Sequence, residues 1–383
     1  MFYPLTIKDI RRETADCVSI VLNIPPQYNE QFSFIQGQYL TLKTTINNVE
    51  IRRSYSICSA PHEGELRIAI KEVPHGVFST YANRVLKKGD ILEAMSPMGH
   101  FYAKDLTTFK KLSNLNAKHY VFFAAGSGIT PVISNIKAIL HSNPLSICTL
   151  IYGNRHVSSI IFKEEIEALK NTYLGRLQVF NVLSRERTEA ELLHGRLTKE
   201  KINLFIDKIL THPVVSNSFD TNLGNVSNKF DTTDTKILRG DEFFACGPLD
   251  MIEAVRDILT AKGVKEDHIH FELFNAPVKS TAETQPITDT VDCLAHIKID
   301  GLTYDVPIQK GQNVLDAAQA MGLDMPYACK GGVCCTCRAK LVEGTIEMQV
   351  NYALTKQEVA QGFVLTCQTI PQSDRISVDF DVK

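Results

Sequence analysis

The stretch "YACKGGVCCTCRAK" places four thiols, Cys329, Cys334, Cys335 and Cys337, within nine positions. Cys329, Cys334 and Cys337 have the C-x4-C-x2-C spacing of a [2Fe-2S] site, a pattern that needs a distant fourth cysteine. Cys367, in "GFVLTCQTI", supplies it. Gly331 and Gly332 let the backbone turn tightly and bring N–H groups onto sulfur, which stabilises a buried anionic cluster. Structural zinc competes for the same residues, but such sites ordinarily carry two CxxC knuckles and only Cys334 to Cys337 forms one. A disulfide competes as well; against it, Cys17, Cys58, Cys148, Cys246 and Cys293 are scattered, which reads as one local site in a reducing compartment. Cys335 lies between two ligands, and neighbours in an extended loop project in different directions. It is expected to be a small filler with an S–H contact to cluster sulfur.

A one-electron centre needs an electron source, and several upstream motifs have the right chemistry. In "RRSYSICSAP", Arg53 and Tyr55 share one face of an extended strand, an aromatic beside a guanidinium, with Ser54 and Ser56 between and after them. Alone, such a tetrapeptide is ordinary strand sequence. In "KEVPHGVFSTYANRV", Gly76, Val77, Phe78 and Ser79 turn into a helix whose N-terminus suits a phosphate. Ile70, Lys71 and Val73 precede that turn. In "VFFAAGSGITPVISNIK", Gly126, Ser127, Gly128, Ile129 and Thr130 follow an apolar strand and open a helix, the context of a phosphate-cradling loop. Pro131 stands where the dinucleotide fingerprint has its third glycine. Arg155 ends "YGNR", and Ser184 and Arg185 follow the next strand in "VLSRE". An arginine after a parallel strand can accommodate a ribose 2′-phosphate, which favours NADPH over NADH; two solvated surface arginines are the plainer alternative.

These motifs, in this order, resemble the ferredoxin-NADP reductase family. The resemblance implies that the R-x-Y-S of Arg53, Tyr55 and Ser56 positions a flavin. It implies that the G-x-x-S of Gly76 to Ser79 receives the flavin pyrophosphate, with FAD favoured over FMN, and that Lys71 and Val73 line the flavin. The GSGITP loop is the family's pyridine-nucleotide signature. Cys246, Gly247 and Pro248 match its C-G-P, which brings the Cys246 thiol near nicotinamide and flavin; Cys246 reads equally as a small buried hydrophobe. Glu272 and Phe274 match the E-x-F that ends the domain, and Phe274 is expected to yield to the nicotinamide. From Cys293 onward, the "PYACKGG" lead-in and the cysteine spacing resemble plant-type ferredoxins, which implies a β-grasp fold. Among members with the ferredoxin last, "IRRSYSIC", "LIYGNR", "LLHGRL" and "NYAL" resemble the reductase components of phenylacetyl-CoA epoxidases. The implied partner is a multicomponent oxygenase, a di-iron phenylacetyl-CoA epoxidase; another oxygenase, hydroxylase or desaturase with a reductase of this domain order is the alternative. A non-catalytic redox sensor or scaffold is the alternative of a different class.

The elements that must hold these residues are legible in the periodicity. Short strands such as "CVSIVLNI", "QYLTLKT" and "ELRIAIKEV", separated by Gly and Pro, predict an antiparallel β-barrel over 1–104, which the resemblance makes the FAD domain. Apolar runs alternating with helical patterns predict an α/β parallel-sheet NAD(P) domain over 105–275. A polar stretch at 216–235 reads as a surface insertion, and 276–291 as a linker. A hairpin at Asp300-Gly301, a helix capped by Asn313 and the cysteine loop form the ferredoxin domain over 292–383. At 383 residues and 44% hydrophobic, the chain can bury several cores. A net charge of −2 speaks against nucleic acid, and the lack of an eighteen-residue apolar run against a membrane span. The N-terminus has no signal-like apolar core, so a cytoplasmic protein is expected. From Asp289 onward, twelve acidic side chains oppose eight basic ones, which predicts a basic docking face on the partner.

Overall fold

A computed structural model of the chain describes residues 1–102, 116–213, 236–274 and 291–382. The insertion at 216–235 and the linker at 276–291 lie outside the described residues, apart from residue 291. The boundaries placed at 104 and 275 also lie outside the described residues, and the one at 291 lies at their edge.

The N-terminal unit is a six-stranded antiparallel sheet in the order β4-β3-β6-β1-β2-β5. Its strands are β1 (Tyr3–Thr14), β2 (Cys17–Asn23), β3 (Tyr39–Ile46), β4 (Val49–Ser56), β5 (Leu66–Lys71) and β6 (Ile91–Ala94). Ile57, just past β4, bridges to Ile68 in β5 and brings the two edge strands together. Closure of this kind removes the exposed edges that alternating strands would otherwise present. Inward-facing Leu5, Ile20, Leu40, Leu42, Ile68 and Ile70 fill the interior, and helix α1 (Val77–Arg84) covers one end with Phe78 and Ala82.

The second unit is a parallel sheet, as the continuous apolar runs predict. Strands β7 (His119–Ala125), β8 (Ile147–Asn154) and β9 (Leu177–Leu183) are followed by a short antiparallel pair, β10 (Thr211–Pro213) with β11 (Lys236–Leu238), and then by β12 (Glu242–Cys246) and β13 (Ile269–Glu272). The order β13-β12-β7-β8-β9 has the chain leaving β7 in one direction and returning on its other side. That reversal is a topological switch point, where loops after the strands splay apart and leave a crevice. Helices α2 (Ile129–Ser142), α3 (Lys163–Thr172), α4 (Lys199–Ile209) and α5 (Leu249–Ala261) cover the two faces.

The C-terminal unit is a mixed sheet in the order β15-β14-β20-β16-β18, with β14 parallel to β20 and the other pairs antiparallel. It comprises β14 (Val291–Ile299), β15 (Leu302–Gln309), α6 (Val314–Ala320), β16 (Arg338–Glu343), β17 (Ile346–Met348), α7 (Lys356–Ala360), β18 (Phe363–Leu365), β19 (Thr369–Pro371) and β20 (Arg375–Asp379). The Asn313 side chain caps α6 by accepting from the Asp316 N–H at 2.8 Å. Val314, Leu315, Ala317 and Ala318 lay this helix across the sheet, the β-grasp arrangement.

The three units pack on one another. Arg52 of the barrel, 6% exposed, reaches into the ferredoxin unit: it donates to Asp324 Oδ1 (2.7 Å) and the Met325 carbonyl (2.9 Å) and lies over the Tyr327 ring at 4.5 Å. His100 bonds Glu358 Oε1 at 3.1 Å across the same junction, and Arg338, within the ferredoxin unit, bonds the same oxygen at 2.8 Å. Burial pushes the Glu358 carboxyl up, but the bonds from His100 and from the Thr355 backbone outweigh it and bring it down to about 2. A carboxylate whose folded pKa is depressed stabilises the fold above its unfolded pKa of 4.5 and loses that contribution as pH falls towards 2. Thermal melts of wild type and Glu358→Gln are therefore expected to differ at pH 7 and to converge between pH 4.5 and pH 2.

Candidate functional site

Three groups of residues meet where the units join. On the barrel, β4 alternates Arg53 and Tyr55, opposite Leu42 and Leu40 on one face of the sheet, with Ser54 and Ser56, opposite Thr41 and Tyr39 on the other, as period-2 geometry requires. Arg53 is exposed, and the Tyr55 ring is backed by Phe78 at 5.4 Å between centroids. Phe78 (1% exposed) and Ile70 (0%) are barrel core, so their side chains support this surface from behind; the G-x-x-S resemblance marks the backbone at Phe78. Ser79 Oγ donates to the Gly76 carbonyl and accepts from the Val73 N–H, both at 3.2 Å, which fixes the turn into α1. Val73 and Val77 are exposed at the same corner. An aromatic face, an exposed guanidinium and a helix start with no side-chain cap fit a flavin with its phosphates.

At the switch point of the parallel sheet lies a cavity of about 670 Å³. It is lined by the ends of every strand in that sheet: Gly126 to Gly128 after β7, Gly153 to Arg155 after β8, Ser184 and Arg185 after β9, Gly247 and Pro248 after β12, and Phe274 after β13. Lys71 of the barrel closes one side. Gly128 is where a side chain cannot fit: a Cβ there would stand 2.1 Å from the Cys246 carbonyl oxygen. Backbone therefore reaches the cavity floor, and the Thr130 hydroxyl, donating to the Ser127 carbonyl (3.0 Å), holds the loop. Ile129 and Thr130 themselves are buried beneath the cavity, and so is the Cys246 thiol, fully buried and pushed well up by that burial; these three brace the floor and do not line it. Ser184 and Arg185 are held to the neighbouring loop by N–H bonds to the Asn154 and Arg155 carbonyls, each 2.9 Å, which brings the backbones of Arg155 and Arg185 together at the cavity.

Between the two sites stands Glu272. Its sequence motif marks it only as part of the domain-ending E-x-F; the structure places its carboxylate against the flavin strand, accepting from Ser56 Oγ at 3.0 Å. The side chain is half-buried, and desolvation pushes its carboxyl up to about 8 against the Ser56 bond. Phe274, 37% exposed, sits two residues on, at the cavity mouth.

The third group is the cysteine loop. Cys329, Cys334, Cys337 and Cys367 converge: Cys334 and Cys329 sulfurs are 3.2 Å apart, and Cys367 bonds both Cys329 and Cys337. Among the described residues no group of three or more His, Cys, Asp or Glu side chains stands ready to hold a metal ion as placed. The donor set nonetheless suits iron and sulfide: Cys334 and Cys367 donate to Cys329, and the Gly331 and Val333 N–H groups add to them, which favours its thiolate. Gly332, at φ +73°, makes the turn, and a Cβ there would meet the Val350 carbonyl at 2.7 Å. Cys335 differs from expectation: its thiol faces away from the other four and lies 3.1 Å from the Tyr39 hydroxyl of the barrel.

Family comparisons agree with this division. The oxidoreductase FAD-binding domain matches residues 4–102, the oxidoreductase NAD-binding domain 122–257, and the 2Fe-2S iron-sulfur cluster binding domain 297–372. The chain is 35% identical to one of the subunits of 1,2-phenylacetyl-CoA epoxidase from Escherichia coli (strain K12), over all of this chain (100%) and 98% of that one. The chain belongs to the ferredoxin-NADP reductase family, in the branch with a C-terminal [2Fe-2S] ferredoxin domain. This reductase is also 28% identical to the ferredoxin reductase component of 3-ketosteroid-9-alpha-monooxygenase from Rhodococcus rhodochrous, covering 98% of this chain and 96% of that one. Its fold resembles phthalate dioxygenase reductase, with a TM-score of 0.55 at 19% identity over 99% and 98% of the two chains. It is an NAD(P)H-dependent flavin and iron-sulfur oxidoreductase of the oxygenase-serving kind. No helix among its described residues is long and apolar enough to cross a membrane.

Proposed function

We propose that this reductase takes electrons from NADPH through FAD and a [2Fe-2S] cluster to a phenylacetyl-CoA epoxidase, working in the cytoplasm. The observation that carries the electron route is the docking: the four-thiol loop lies against β3, the strand paired residue for residue with β4 and its Arg53, Tyr55 and Ser56. Bound flavin accepts a hydride and gives up electrons singly, and a bound cluster carries one electron at a time. The chain's own residues place these groups. Tyr55 would support the flavin ring, Arg53 and the start of α1 would neutralise its phosphates, and Ser56 holds the Glu272 carboxyl beside that strand. Gly126 to Gly128 would cradle the dinucleotide, and Phe274, at the cavity mouth, would stand where nicotinamide and flavin meet. Cys329, Cys334, Cys337 and Cys367 ligate the cluster.

Paired Arg155 and Arg185 at the cavity rim support NADPH over NADH. A hydrogen bond to a charged group contributes about 1.5–3 kcal/mol, so Arg155→Ala and Arg185→Ala are each expected to raise the KM for NADPH about ten- to hundredfold. The KM for NADH should stay nearly constant. Steady-state reduction of an artificial acceptor with both nucleotides measures this, and equal losses for both would refute the 2′-phosphate reading.

The partner assignment rests on the likeness to the Escherichia coli protein. Its test is reconstitution: with the epoxidase component, NADPH and phenylacetyl-CoA, oxygenated product is expected only when this chain is present. Product with a ketosteroid monooxygenase and none with the epoxidase would keep the reductase and overturn the partner.

A further inference from the structure

We infer that Tyr39 is the positioning residue that seats the cluster loop against the flavin barrel and thereby sets the rate of electron passage between flavin and cluster; the inference rests on the reductase reading above. Tyr39 opens β3, yet its side chain, 5% exposed, belongs to the core of the ferredoxin unit together with Cys334, Cys335 and Cys337. Its hydroxyl accepts from the Cys335 N–H at 2.9 Å and lies 3.1 Å from Cys335 Sγ and 3.5 Å from Thr336 Oγ1. Two residues along the same face of β3, Thr41 Oγ1 bonds Thr336 Oγ1 at 3.1 Å and Ser54 Oγ at 3.2 Å. Ser54 sits between Arg53 and Tyr55, and Tyr39 is itself the cross-strand partner of Ser56. A buried chain of hydroxyls thus runs from the flavin strand to the two residues that lie between Cys334 and Cys337.

The order of effects follows from these contacts. A buried N–H without an acceptor is costly, so removing the Tyr39 hydroxyl makes the Cys335 peptide, and Cys334 next to it, seek another position. Arg52, with its bonds to Asp324 and Met325, anchors the ferredoxin unit separately. Loss of the hydroxyl therefore shifts the loop locally and does not release the unit. Electron transfer falls steeply with separation, so a local shift registers in the rate.

The test uses the holoenzyme, mixed rapidly with one equivalent of NADPH, with flavin and cluster followed at their own absorption bands and the reduced cluster examined by EPR. In Tyr39→Phe the flavin-to-cluster step, taken as a ratio to flavin reduction, is expected to slow at least about tenfold, since a misplacement near 1 Å can cost about a hundredfold in rate. The cluster EPR spectrum is expected to shift or broaden. Thr41→Val, which removes the second bond to the loop, should slow the same step by a smaller factor and guards against a Tyr39 variant that fails to fold. Cys335→Ala should combine with Tyr39→Phe less than additively because they share a contact, and Cys335→Ser should restore the wild-type rate. If Tyr39→Phe and Thr41→Val change thermal stability alone and leave rate and EPR spectrum as in wild type, the inference is wrong while the reductase reading stands. A wild-type cluster that NADPH does not reduce overturns both.

Discussion

Cys367→Ser is expected to lose the [2Fe-2S] cluster, and Cys335→Ser to keep it. The two cysteines differ in what their sulfurs face, not in burial, since both are buried. Cys367 occupies a single 3-10 turn between β18 and β19, and its neighbour Thr366 is tied to the ligand loop twice: its N–H and its hydroxyl donate to the Cys337 carbonyl at 3.1 and 2.9 Å. These bonds carry a thiol distant in sequence onto Cys329 and Cys337. A serine there supplies a poor ligand for iron, and changes merely around a metal site already cost ten- to about a hundredfold. A first-ligand change should therefore reduce cluster-dependent reduction of the acceptor by more than about a hundredfold. The visible absorption and the low-temperature EPR signal of the reduced cluster should disappear with it. Cys335 presents its sulfur to Tyr39, and a serine hydroxyl can make that contact, so absorption and EPR should persist. The opposite pattern would make Cys335 a ligand and Cys367 a bystander.

How far this site could be foreseen depends on whether its contacts are local in the chain. The convergence of Cys329, Cys334, Cys337 and Cys367 was legible because three of the four lie in one loop, where spacing alone limits the chemistry. The barrel and the parallel sheet were legible for a similar reason, since the change from alternating strands to apolar runs with helical spacers lies within successive segments. The Ser56 to Glu272 bond was not legible: it joins residues 216 apart, one on the barrel and one on the last strand of the parallel sheet. Motif resemblance also blurs side chain and backbone. Phe78, Ile129, Thr130 and Cys246 all lie within matched motifs, and Ile70 just before one, yet their side chains are buried behind the surfaces those motifs form. Arg52 shows the limit most clearly. Alternation places it on the opposite face from Arg53, but no property of β4 itself says that this face meets Asp324 and Tyr327 of another unit. Tyr39 and Thr41 were missed on the same ground.

Glu165→Ala is expected to destabilise the flavin and nucleotide half by about 3 kcal/mol, the lower end of the range for breaking a buried pair from one side. Glu165, on α3, stands between Arg67 of the barrel and Lys137 of α2, accepting from Arg67 Nη2 at 2.6 and 2.7 Å and from Lys137 Nζ at 2.8 Å. Arg67 and Lys137 expose only 7% and 3% of their side chains, so neither can recover its hydration when the carboxylate is removed. Burial pushes the Glu165 carboxyl up, and the Lys137 and Arg67 charges outweigh it and hold it below the usual range. The penalty stays near the lower end for two reasons: Glu165 is 26% exposed, and Lys137 keeps Glu63 at 2.8 Å. Arg67 retains its stacking on Phe162 at 5.3 Å but no carboxylate. A urea titration followed by flavin fluorescence reports the half of the chain in which the network lies. Glu165→Gln, which keeps volume and hydrogen-bonding capacity but not charge, should fall between wild type and Glu165→Ala. If Gln matched wild type, shape and hydrogen bonding would explain the joint, and the charge at its centre would add nothing. If Ala matched wild type, the two domains would be held together by the apolar contacts around Phe101 and Phe244 without help from the network.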